Sequence, residues 1–112
     1  MKSIVAIPLE NGSLCSHFGH CEQFAIVDVD NNVIIGEKLI TPPPHEPGLL
    51  PGWLAERGVT DVIAGGMGQR ALDLFAAQNI KVNVGAQPKS SHELVSDWIK
   101  KSLVIGSNAC DH

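Results

Sequence analysis

Cysteine and histidine are unevenly spread along the 112-residue chain. Cys15, His17, His20 and Cys21 crowd into Leu14-Cys-Ser-His-Phe-Gly-His-Cys-Glu22, His45 lies in a proline-rich stretch, and Cys110 and His112 stand in the final segment. Thiolate and imidazole are the soft and borderline ligands that hold iron-sulfur, copper or zinc centres, whereas hard cations prefer carboxylates and carbonyls. The pattern therefore favours a soft metal over calcium or magnesium. It lacks the paired Cys-x(2-4)-Cys spacing of a zinc finger, so a structural zinc site is disfavoured. Taken singly, each residue also has a plainer reading: a free Cys is often a small buried hydrophobe, and a loop His a solvated side chain. Their gathering in three separate segments is what points to a shared site.

A second constellation is Gly65-Gly-Met-Gly-Gln-Arg70, placed between a strand-like and a helix-like stretch. Free amides and the helix dipole there can cradle an anion. No Gly-Lys-Ser/Thr follows, and the glycines miss the Gly-x-Gly-x-x-Gly fingerprint, so nucleotide binding is unsupported. The alternative is a tight turn in which the glycines supply positive φ. No Ser lies in Gly-x-Ser-x-Gly. Cys15 or Cys21 beside a His can act as an activated thiolate if the geometry allows, which keeps a small thiol-dependent redox or hydrolytic enzyme open as a reading. Asp28 and Asp30 share one strand face and read as solvent-facing alternation. Trp53 and Trp98 lie on helical apolar stripes and read as core.

These residues must be positioned by the elements between them. Residues 3–9 are a short apolar run closed by Glu10-Asn-Gly-Ser13, which predicts a buried strand and then a loop. Residues 24–30 and 33–40 flank Asn31-Asn32, and Asn tolerates the positive φ of a tight hairpin turn. Thr41-Pro-Pro-Pro-His-Glu-Pro-Gly48 predicts a stiff exposed loop. Helical spacing of Leu50, Trp53 and Leu54 predicts a helix over 49–57 stopped by Gly58. Strands are expected over 59–64 and 80–84, with a helix over 69–78 between them. Ser90-Ser-His-Glu93 marks the start of a last helix bearing Leu94, Val95, Trp98 and Ile99. The order β-β-β-α-β-α-β-α predicts an open sheet with right-handed crossovers and parallel strands, the middle strand of the opening meander running against the rest.

Composition bounds the function. At 112 residues one domain, 1–112, is expected. With 44% hydrophobic and 18% charged residues the chain should fold. Eight basic residues against twelve acidic ones, scattered without a stripe, argue against nucleic acid, and the absence of Tyr removes a stacking platform. Three cysteines cannot all pair within the chain, which fits reduced thiols. With no membrane-length apolar run and no signal-type segment after Met1, the expectation is a soluble cytoplasmic protein away from membranes.

Ile-Val-Ala-Ile-Pro in the opening strand, Ser16-His-Phe-Gly19, Phe24, the Pro/His loop, Trp53-Leu54, Ala64-Gly-Gly-Met-Gly-Gln-Arg-Ala71 and Asn108-Ala-Cys-Asp-His112 together resemble the dinitrogenase iron-molybdenum cofactor biosynthesis family. That family includes NifX-like carriers and the carboxy-terminal part of NifB. The resemblance implies a ribonuclease-H-like three-layer α/β/α fold with a five-stranded mixed sheet. It implies a non-catalytic role in binding, carrying or assembling a labile metal-sulfur cluster: the iron-molybdenum cofactor, its precursor or an iron-sulfur cluster. Ser16, His17, Phe18 and Gly19 would form the first edge of the site, His45 its rim, Gly65, Gly66, Met67 and Gly68 with Arg70 a cradle, and Cys110 with His112 a closing tail. The metal ligands it implies are His17, His45, Cys110 and His112, with Cys15, His20 and Cys21 secondary. Cluster donor or acceptor proteins are the expected partners, and a homodimer is compatible with it. A cargo-free regulatory or interaction module is the remaining alternative.

Overall fold

The computed structural model describes residues 2–15, 18, 21–43 and 48–100. Its organising element is β1 (Lys2–Glu10), whose apolar run leaves no polar face, so both faces must be covered. Val5 through Leu9 are all buried. β1 is also paired on both edges, antiparallel to β3 (Gln23–Asp30) and parallel to β5 (Asp61–Ile63). β4 (Val33–Ile40) continues the sheet beyond β3, and β6 (Lys81–Asn83) beyond β5, in the order β4-β3-β1-β5-β6. β3 runs against these four strands, as the sequence predicts.

The sheet has six strands where five were expected. The sixth, β2 (Ser13–Leu14), folds back antiparallel onto Leu9 and Glu10 through a turn with Asn11 at φ 54° and Gly12 at φ 82°. Because β3 holds one edge of β1 as far as Leu9, β2 takes the other. Two residues carry no readable period, so this stretch reads as loop in the sequence. The hairpin between β3 and β4 turns on Asn31 and Asn32, at φ 51° and 63°, the paired left-handed conformation that a type I′ turn requires.

Three helices cover the faces. α1 (Leu49–Ala55) carries Pro51 in its first turn, where the missing N–H leaves no bond unmade. α2 (Gln69–Ala77) follows β5, and α3 (Ser91–Ile99) follows β6. Ser90 caps α3, its Oγ accepting from the Glu93 amide at 3.3 Å, as the Ser/Glu spacing predicts. Val5, Ile7 and Leu9 pack with Ala25, Val27, Val29, Leu94 and Val95, so α3 covers one face. Ala6 packs with Phe24, Ile26, Leu54 and Phe75, so α1 and α2 cover the other. Trp98 and Trp53 flank these two clusters, in the core roles expected of them. No helix among the described residues is long and apolar enough to cross a membrane.

Gly58 ends α1 at φ +79°, and a Cβ there would meet Ile4 Cδ1 at 3.3 Å. Gly58→Ala should therefore destabilise the protein by about 1–2 kcal/mol, the cost of a left-handed non-glycine residue, read as a lower urea midpoint with an unchanged slope.

Candidate functional site

β1, β4, β5 and β6 all run the same way, so their carboxyl ends share one rim. The connections leaving that rim are the ones that carry most of the Cys, His and Gly candidates. β5 leads to α2 on one face and β6 to α3 on the other, and the crevice outside such divergent strand ends is where open α/β sheets bind ligands.

Backbone hydrogen bonds tie these connections together. The Phe18 amide donates to the Gly66 carbonyl at 3.1 Å, joining the segment after β1 to the one after β5. The Gly85 amide donates to Gly65 at 3.0 Å, and the Leu14 amide to Lys89 at 3.0 Å, adding the β6–α3 connection. Ser13 and Ser90 form an isolated bridge at the same place. The Cys15 amide donates to Pro8 at 2.9 Å and the Glu22 amide to Leu9 at 2.9 Å, so Cys15 and Glu22 are held on two adjacent carbonyls of β1. The sequence reading gave the β6–α3 connection no part in the site. Its signal was the parallel order of the last strands, which brings every following connection to one rim.

Among the expected site residues, Ser16, His17, Gly19, His20, His45, Cys110 and His112 lie outside the described residues. Phe18 and Met67 point inward. Phe18 is buried, edge-on to Phe24 at 5.6 Å and to Phe75 at 5.4 Å, and Met67 is buried in the same cluster. Both secure the rim from beneath. Gly65 and Gly66 are buried, while Gly68 and Arg70 are exposed at the start of α2. None of the three glycines adopts positive φ, which overturns the tight-turn reading. Gly68, at φ −67° and ψ 156°, is the N-cap of α2 and supplies no side-chain cap, so the first-turn amides of the helix stay open toward the rim.

The two described cysteines follow the plainer reading more closely. Cys15 is 2% exposed, and its thiol donates to Glu10 Oε2 at 3.5 Å. Cys21 is half-buried, and burial, reinforced by Cys15 beside it, pushes its thiol up to about 12. An activated thiolate requires the opposite shift. Among the described residues no three His, Cys, Asp or Glu side chains are grouped to hold a metal ion.

Residues 1–101 match the family model described as dinitrogenase iron-molybdenum cofactor. An uncharacterized protein of Methanocaldococcus jannaschii, MJ0580, is 32% identical over 83 residues, covering 70% of each chain. The crystal structure of PH0822 superposes at a TM-score of 0.89 with 26% identity, covering both chains completely. The apo form of the orange protein from Desulfovibrio gigas shares the fold at a TM-score of 0.76 and 18% identity, over 95% of this chain and 94% of its own.

The Cys21 shift has a consequence for stability. A thiol that is held protonated to about 12 in the fold, against an ordinary value of 9.0, favours the folded state at and below pH 9, and that contribution disappears as pH rises toward 12. Cys21→Ser should flatten the decline in urea midpoint over this window. Alkylation of Cys21 in the parent should stay slow at pH 9, and Cys15→Ala should bring its titration down while leaving it above 9.0, because burial remains the larger cause.

Proposed function

Because the chain belongs to the dinitrogenase iron-molybdenum cofactor family, we propose that its rim binds a metal-sulfur cluster for carriage or assembly and catalyses no reaction of its own. The observation that supports this reading is the convergence, on one rim, of the connections after β1, β4, β5 and β6. Metal-sulfur clusters are bulky, soft and generally anionic. A carrier therefore needs few strong ligands, a surface of amide donors, and an arrangement that lets cargo leave. The open first-turn amides of α2 and the exposed Arg70 suit the anionic charge.

In this reading His17, His45, Cys110 and His112 supply the soft and borderline contacts, with Ser16 and Gly19 lining the first edge. His17 directly precedes Phe18, whose amide is fastened to Gly66, which favours a ligand beside the glycine cradle. Cys15, engaged with Glu10, and the buried thiol of Cys21 are supporting residues, not primary ligands. The ribonuclease-H-like classification and a single domain over 1–112 belong to the same reading, supported by helices on both sheet faces. So do cluster donor or acceptor proteins as partners, in the cytoplasm.

Anaerobic reconstitution with ferrous iron, sulfide and molybdate should give visible charge-transfer absorption. Cys110→Ala and His17→Ala should each weaken cluster affinity by roughly tenfold or more, judged from the loss on perturbing metal-site residues. Equal loading of both variants and the parent would overturn the ligand assignment.

A further inference from the structure

Asn11 and Gly12 form the exposed turn between β1 and β2. No other asparagine of the chain precedes a glycine. The succession matters chemically, because a main-chain nitrogen whose own residue lacks a Cβ can reach the side-chain amide carbon of the residue before it. A Cβ built on Gly12 would itself meet nothing within 4 Å, so the approach is open.

In the left-handed conformation of Asn11, at φ 54°, the Gly12 nitrogen is turned away from Asn11 Cγ, so reaction waits on opening of the turn. The strand that closes this turn is short. β2 pairs only Leu14 with Leu9 and Ser13 with Glu10. Asn31 has the same conformation in the β3–β4 turn, at φ 51°, but that turn is clamped by two eight-residue strands and its successor Asn32 carries a Cβ. Asn31 is therefore an internal comparison, slowed by both factors.

We propose that Asn11 is a site of spontaneous modification, converting to isoaspartate and so loosening the first connection of the rim. The Gly12 nitrogen gives its proton to solvent base and attacks Asn11 Cγ; the new C–N bond closes a five-membered imide, and ammonia leaves with a solvent proton. Water then opens the imide at either carbonyl, giving aspartate or isoaspartate. Both products add a negative charge, and isoaspartate also lengthens the main chain by a methylene. These changes fall where β2 is held. The Asn11 amide donates to Glu22 Oε1 at 2.9 Å and Glu10 is its chain neighbour, so the new carboxylate arrives beside two others and is repelled by them. A lengthened loop no longer fits a two-residue turn. The ladder so weakened leads directly to Leu14, whose amide is tied to Lys89, and to Cys15, whose amide is tied to Pro8.

Ageing the purified full chain in mildly alkaline buffer, with peptide mass mapping and enzymatic methylation of isoaspartate, tests the site. Asn11 should convert about tenfold or more faster than Asn31, the gap expected where one turn opens locally and the other only with its core strands. Equal rates at the two, or an unmodified Asn11, would overturn the assignment. The converted chain, separated by its added negative charge, should exchange its Leu14 and Cys15 amides about tenfold or more faster than fresh chain, while central β1 amides stay protected. Unchanged exchange at Leu14 and Cys15 would overturn the loosening. Asn11→Gly keeps a residue suited to the left-handed turn and removes the side-chain amide. Its aged form should hold Leu14 and Cys15 as firmly as when fresh, and loosening there would overturn the link to this modification.

Discussion

Burial of β1 on both faces is the constraint from which the remaining structure follows. A strand apolar on both sides needs a layer above and a layer below, and the chain supplies α3 for one and α1 with α2 for the other. Pairing on both edges then fixes β1 in the centre, with the antiparallel hairpin to one side and the parallel strands to the other. Parallel strands cannot be joined by tight turns, so each return passes through a helix, and each helix begins where a strand ends. The common rim is a geometric result of that requirement.

The rim has a firm floor. Phe18, Phe24, Phe75 and Met67 lie beneath it, and the amides of Phe18, Gly85 and Leu14 fasten three connections to one another. Each large apolar side chain so buried contributes roughly 1.5–3 kcal/mol, which is stability shared between the fold and the site. Main-chain pairing, and not positive φ, holds the glycine segment in place. Gly65 and Gly66 are buried where the backbones of Gly85 and Phe18 approach, and both carbonyls accept from those neighbours.

Much of this was legible from residue types. Asn31-Asn32 announced a turn with both φ values positive, Gly58 a helix stop, and Ser90 with Glu93 a cap, because each is a local conformational choice made by local chemistry. Helix lengths and the ends of β5 were less legible: the sequence extends that strand over 59–64, whereas only Asp61–Ile63 pair, since pairing depends on what β1 and β6 offer opposite. β2 was illegible because its partner lies in β1 and its own two residues carry no pattern. At the site, the types of Phe18 and Met67 could not tell contact from support. Their inward packing depends on Phe24 and Phe75, which are distant in sequence.

The protonated thiol of Cys21 has a consequence for redox chemistry. Sulfur reacts with peroxide, and exchanges with disulfides, through its anion, and a group neutral to about pH 12 offers almost none of that form at neutrality. The segment following β1 thus carries a sulfur atom that resists sulfenylation and mixed-disulfide formation.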